Sequence, residues 1–324
     1  MVIRKLVLGA FAAVTLASCA FANSPLLAGG SAAGPRAKAP AAPTAGGCQV
    51  FPSNNAWNED VSKLPVRSDS AQLIKSISST GGRSLLHADF GGGGAYGIPI
   101  LIVPKKQKPE PIHYTAYGDE SSHGPFPIPP HAPVEGGVNS SGDRHVIVVQ
   151  SGTCHLYELY RAFWRGSHWD ADSGVNWNLA SNARRKLGWT SADAAGLPIF
   201  PGLARYSEVK AGAIHHALRF TVAATQRGYI YPATHDASSS NNRALPPMGL
   251  RLRLKSGYSL AHFHGQALVI LKALKTYGMI VADNGSSWFI SGASSPKWND
   301  TDLDQLKTVP GKAFVAVNTG PVRH

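Results

Sequence analysis

Leu250-Arg251-Leu252-Arg253-Leu254-Lys255 decides the fold class. Alternation with period two puts three leucines on one face and three cations on the other, the pattern of a strand with one side on a core. Similar short apolar runs recur at Ile98–Val103, His145–Val149, His155–Phe163, His216–Val222, Met279–Ala282, Ser287–Ile290 and Ala313–Val317. Gly and Pro separate them, as strands in a β-rich domain require. Helical spacing is confined to Ser70–Ser79, Gln266–Tyr277 with Gly278 as its stop, and Asp300–Thr308 behind Asn299. The expectation is a single β-rich domain, sandwich-like or barrel-like, with a few peripheral helices.

The three cations of this strand read either as a solvated outer face or as a groove for a polyanion or for sugar hydroxyls. Arg251 and Arg253 are therefore candidate substrate-binding residues.

The chain's start fixes its compartment. Arg4 and Lys5 precede an apolar run, Leu6–Leu16, and then Leu16-Ala17-Ser18-Cys19. That is the layout of an export signal, with an apolar run shorter than a spanning helix needs. Two cleavage readings compete. Leu-Ala-Ser-Cys matches a lipobox, which would lipidate Cys19. Ala20-Phe21-Ala22 matches an ordinary signal-peptidase site. The expected layout is a signal over 1–22, a flexible Ala/Gly/Pro tether over 23–47, and one domain over 48–324. The mature chain is expected to be periplasmic, lipid-anchored or secreted.

Cysteine usage agrees. With Cys19 lipidated or removed, Cys48 and Cys154 remain, and an oxidising compartment favours a disulfide between them.

With 31 Lys and Arg against 19 Asp and Glu, the net charge is +12. Outside the cytoplasm such a balance favours polysaccharide or a cell-envelope polymer over nucleic acid. Membrane contact is expected only through a lipid anchor.

Several chemistries are excluded by motif. There is no G-x-S-x-G elbow, no H-E-x-x-H and no Walker loop. The G-x-G-x-x-G at Gly92, Gly94 and Gly97 precedes a strand rather than a helix, and so lacks the helix N-terminus that binds pyrophosphate.

What remains are carboxylates, histidines and aromatics. Glu135 and Asp143 lie in a long Pro/Gly-rich loop, and Asp283 ends the strand Met279–Ala282. Two carboxyls across a glycosidic bond, one protonated and one ionised, are what glycoside hydrolysis needs. His145, His216 and His235 sit at strand ends or in a loop, where they would tune those acids or hold a metal. His262 and His264 form a further chelating pair without a third ligand. No cofactor is expected, a histidine-bound metal being the only alternative. Trp164, Trp169, Trp177 and Trp189 are four of the chain's seven tryptophans, and Trp169 or Trp177 would stack on sugar rings.

The runs Gly188–Leu203 (GWTSADAAGLPIFPGL), His216–Val222 (HALRFTV) and Leu274–Gly285 (LKTYGMIVADNG) resemble a family of secreted bacterial proteins of uncharacterised function. The resemblance extends over most of 48–318 and implies export and a single globular unit. It implies no reaction. The segment Ser259–His264 differs from the sequences it resembles, which counts against the His262/His264 metal site.

The sequence thus points to an extracytoplasmic glycoside hydrolase, with Glu135 or Asp143 as one carboxyl and Asp283 as the other. The alternatives are a non-catalytic carbohydrate or envelope binder and a histidine-ligated metal enzyme.

Overall fold

The computed structural model describes residues 42–324. The export signal, Cys19 and most of the tether lie outside the described residues. The tether ends earlier than expected. Thr44–Ala45 and Cys48–Gln49 form a two-stranded hairpin around Gly46-Gly47, whose φ values are 57° and 81°. A two-residue hairpin turn of this kind needs positive φ at both positions, which glycine adopts without strain.

Two larger sheets organise the rest. A five-stranded mixed sheet runs in the order Phe289–Ile290, Leu218–Val222, Met279–Asn284, Arg251–Leu254 and Phe314–Ala316. Its central strand, Met279–Asn284, runs parallel to its neighbour Leu218–Val222. A four-stranded sheet runs Ile100–Val103, Val146–Gln150, His155–Tyr160 and Ser173–Asn178. A small three-stranded sheet joins Ile112–Tyr114, Trp169–Ala171 and Phe163–Trp164. The β-rich expectation holds. None of these sheets closes into a barrel, since each ends in unpaired edge strands.

Alternation in the four-stranded sheet divides the interior. Ile147, Val149 and Leu156 face the larger core, which they share with the five-stranded sheet. Val146, Val148, Tyr157 and Leu159 face a smaller core with Trp169, Phe126 and Ile128. Both faces of this sheet are covered, so the central strand Val146–Gln150 opens as a continuous apolar run, Val146–Val149.

The helices follow their spacing. Ser70–Ser79 buries Leu73, Ile74 and Ile77. Gly265–Thr276 buries Ala267, Ile270, Leu271 and Leu274. It stops where expected, at Gly278, whose φ is 68° and whose N–H donates to Ala273 O at 3.2 Å. A Cβ at Gly278 would sit 2.1 Å from Leu252 O, so no other residue fits. Among the described residues, no helix is long and apolar enough to cross a membrane.

Cys48 and Cys154 are disulfide-bonded, with Cα atoms 5.3 Å apart across a sequence separation of 106. The bridge ties the N-terminal hairpin to the turn between two strands of the four-stranded sheet, as an oxidising compartment allows.

One expectation for Leu250–Lys255 is corrected by the structure. Arg251 is buried rather than part of an open cationic stripe. Its guanidinium donates to Tyr277 O at 2.9 Å through Nε, to Glu59 O at 3.0 Å and to Ala56 O. It gathers carbonyls left over at a helix end and a turn, which is a structural task. Arg253 is half-buried and lines a groove with Lys255 and Lys312.

Candidate functional site

One end of the four-stranded sheet and the carboxyl end of Met279–Asn284 meet at a polar cleft of about 300 Å³. Its lining includes Tyr117, Asp143, Tyr160, Asp193, His235 and Asp283. Ligand sites in open sheets with parallel strands favour the carboxyl ends of those strands. Three of the six expected catalytic residues, Asp143, His235 and Asp283, therefore share this cleft.

Asp283 reaches the cleft through a bulge. Phe220 pairs with Val281, but Thr221 pairs with Asp283, so Ala282 is an extra residue on its strand. Bulges re-aim side chains in this way. The Ala282 carbonyl accepts the Ala195 N–H at 3.0 Å, tying the bulge to the loop that forms the cleft floor.

Beneath Asp283 lies an ionic cluster. Arg219 is buried and grips Asp193 with two hydrogen bonds, at 3.2 and 3.0 Å, and donates to Ser291 Oγ at 2.8 Å. The same guanidinium lies 3.7 Å from Asp283. Burial alone would lower the Arg219 pKa, but the charges of Asp193 and Asp283 raise it. Burial, and then the negative charge of Asp193, push the Asp283 carboxyl up to about 7, against the weaker pull of Arg219 and His145. Asp283 keeps a quarter of its side chain exposed. It is thus a carboxyl that carries a proton near neutrality and has access to the cleft.

Asp143 comes from the opposite wall. It precedes Arg144, whose φ of 54° is left-handed. Such a conformation persists only when its surroundings hold it. Here the Arg144 side chain donates to Ala162 O at 3.0 Å, Val138 O at 2.8 Å and Ser140 O at 2.9 Å, and covers the Phe163 ring. On either side of this turn Asp143 is exposed at the cleft and His145 is buried.

His145 and Glu135 form a pair below the cleft. His145 Nδ1 is 2.5 Å from Glu135 Oε2, and Nε2 is 3.1 Å from Ala192 O. Burial opposes charge on both, but their mutual hydrogen bond and attraction prevail, raising the histidine and lowering the glutamate. Glu135 and His145 therefore support the cleft floor. His235 sits at the cleft itself, its Nδ1 2.7 Å from Ala194 O. Donation from Nδ1 leaves Nε2 free as an acceptor.

The floor, residues 190–194, is held from several sides. Thr190 N donates to Glu120 Oε2 at 2.6 Å, and Ser173 Oγ to Ser191 O at 2.8 Å. Ser191 Oγ is taken up by Leu197 O at 2.6 Å and by Asp193 N at 2.9 Å, so it is no free nucleophile. Further along, Glu158 accepts from Ile199 N, Phe200 N and Trp177 Nε1.

Three expectations fail here. His216 is fully buried, bonded to Ala217 O at 2.7 Å and Glu208 at 3.1 Å, and lines no part of the cleft. Trp169 is 1% exposed in the smaller core, with its indole N–H on Ile128 O. Trp177 is buried in the larger core and spends its N–H on Glu158. Neither indole face is available to a sugar. The aromatic open at the cleft is Tyr117, 48% exposed.

Nor do His145, His216 and His235 converge as metal ligands. His264 faces Asp302 and Gln305 rather than a third ligand shared with His262.

Sequence reasoning missed Asp193, Arg219 and Tyr117. Arg219 had a signal, being a lone charge in the apolar run Leu218–Val222. A charge in a strand buried on both faces requires a buried partner.

Comparisons with protein-family models, with curated proteins and with solved structures find no match to this chain.

Proposed function

We propose that the protein is an extracytoplasmic glycoside hydrolase, with Asp283 as general acid and Asp143 as the second carboxyl. The observation that carries this reading is Asp283 itself: a cleft-facing carboxyl raised to about 7, sharing its cleft with a second, exposed acid. Glycosidic cleavage needs that inequality, because one carboxyl must protonate the departing oxygen while the other acts ionised on the anomeric carbon or on a water. His235 Nε2 is an acceptor for a sugar hydroxyl or a water, and Tyr117 offers an apolar face for a ring.

The cleft also bears on substrate. Asp143, Asp193 and Asp283 line it, and no Lys or Arg does. A neutral glycan is favoured at the reacting position over an acidic one, despite the net charge of +12. Export remains part of the proposal, supported by the signal-like start, the resemblance to secreted bacterial proteins and the disulfide. The non-catalytic binder loses its main support, since Trp169 and Trp177 are buried.

The test is reducing-end release from a panel of neutral and charged polysaccharides by wild type, Asp143→Asn and Asp283→Asn. Release by wild type that both variants lose supports the proposal. Binding without release from any polymer, unchanged in the variants, overturns it in favour of a binder.

A further inference from the structure

A second group of side chains, on the small three-stranded sheet, has the makings of a metal site. His113 lies on Ile112–Tyr114. Its neighbour strand Trp169–Ala171 is parallel, and the register pairs His113 with Asp170. His168 immediately precedes that strand, two residues before Asp170, and so falls on the same side. One ligand atom from each of His113, His168 and Asp170 lies within 4.8 Å of the other two.

The surroundings orient all three donors. The His113 and His168 rings lie 4.0 Å apart, tilted by 32°. Ser167 Oγ is 3.1 Å from His168 Nδ1, which directs Nε2 toward Asp170. Arg165 Nε donates to Asp170 Oδ2 at 2.8 Å, so Oδ1 is the oxygen turned to the histidines. His168 Nε2 and Asp170 Oδ1 are 3.1 Å apart. The hydroxyl fixes the orientation of the His168 ring, and the guanidinium gives the carboxylate the kind of hydrogen-bond donor that ligating carboxylates keep.

We infer that His113, His168 and Asp170 bind a divalent transition-metal ion of the zinc class. Two imidazole nitrogens and one carboxylate oxygen suit zinc, cobalt, nickel or copper, whereas calcium and magnesium prefer all-oxygen sets. The ion takes the place of the proton between His168 Nε2 and Asp170 Oδ1 and recruits His113 across the strand pair. His113 is exposed, and His168 and Asp170 are half-buried, so a fourth position is open to water. None of the three lines the catalytic cleft, and the inference does not rest on the glycosidase reading.

The experiment is a cobalt(II) titration of the untagged, chelator-treated full protein, followed in the visible range and then displaced by zinc. Expected is saturation at one equivalent, with d–d bands that zinc abolishes and a rise in melting temperature on zinc addition. His113→Ala and His168→Ala should each weaken cobalt binding by at least about tenfold and abolish the melting shift, while His262→Ala/His264→Ala changes neither. His113→Ala removes an exposed side chain, so loss of fold does not confound it. No stoichiometric binding to wild type, or binding that survives both single variants unchanged, overturns the inference.

Discussion

The Arg219 guanidinium holds Asp193 at 3.0 Å yet stays 3.7 Å from Asp283. One buried cation therefore serves two acids unequally. Asp193 receives two hydrogen bonds; Asp283 receives attraction without a short bond. That asymmetry, added to burial and the Asp193 charge, leaves Asp283 protonated near neutral pH. Removing the cation strands a fully buried carboxylate, so Arg219→Met should lower stability by about 3–5 kcal/mol. Adding Asp193→Asn should recover part of the loss. Urea denaturation of both variants measures it, and equal stability of the single variant and wild type would show the pair to be dispensable.

Asp283 should also be a stability liability. Its pKa is about 7 in the fold, against about 3.9 when unfolded. The folded state thus binds more protons between those values, and stability contributed by this group falls as pH rises through the window. Asp283→Asn removes the effect. The variant should match wild type near pH 4 and exceed it at pH 8 by on the order of 1–3 kcal/mol. Melting curves across pH check this, and a variant less stable at pH 8 would mean that Arg219 favours the charged form.

The tryptophans give a contrasting pair. Trp169→Ala should cost about 3–5 kcal/mol of stability, because the indole fills the smaller core. Tyr117→Ala should leave stability within about 0.5 kcal/mol of wild type, as surface changes usually do, while weakening substrate affinity. Denaturation and binding assays on both variants separate the roles. A Trp169→Ala protein that is fully stable but fails to bind would restore the exposed-indole reading.

The disulfide closes a long loop, its cysteines standing 106 positions apart in the sequence. Cys48→Ser/Cys154→Ser should lose about 4–5 kcal/mol in the chain-entropy model. Activity below the melting transition should persist, since neither cysteine lines the cleft. Reductant should reproduce the loss in wild type and have no effect on the double variant.

How much of this was legible follows from the range of each interaction. Helix Gly265–Thr276 is encoded in its own spacing and in Gly278. The strand Val146–Gln150 is announced by its own unbroken apolar run, Val146–Val149. The strands Trp169–Ala171 and Ser173–Asn178 were missed because WDADSGVNWN is polar by composition, and they exist through pairing with Ile112–Tyr114 and His155–Tyr160. Polar neighbours likewise made Trp169 look exposed, although alternation sends it to the face opposite His168 and Asp170. Arg251 looked like one of three equivalent cations, and only the carbonyls of Ala56, Glu59 and Tyr277 distinguish it. Asp283 was visible as an acid ending a strand, but its proton depends on Asp193 and Arg219, brought together by the fold.

The pH dependence of kcat/KM for glycan cleavage is the sharpest test of Asp283 as the acid. We expect a basic limb with an apparent pKa of about 7 in wild type, activity falling as Asp283 ionises, and a loss of rate in Asp283→Asn of at least about 100-fold. A profile flat through pH 7, or an Asp283→Asn protein that cleaves at the wild-type rate, would contradict it.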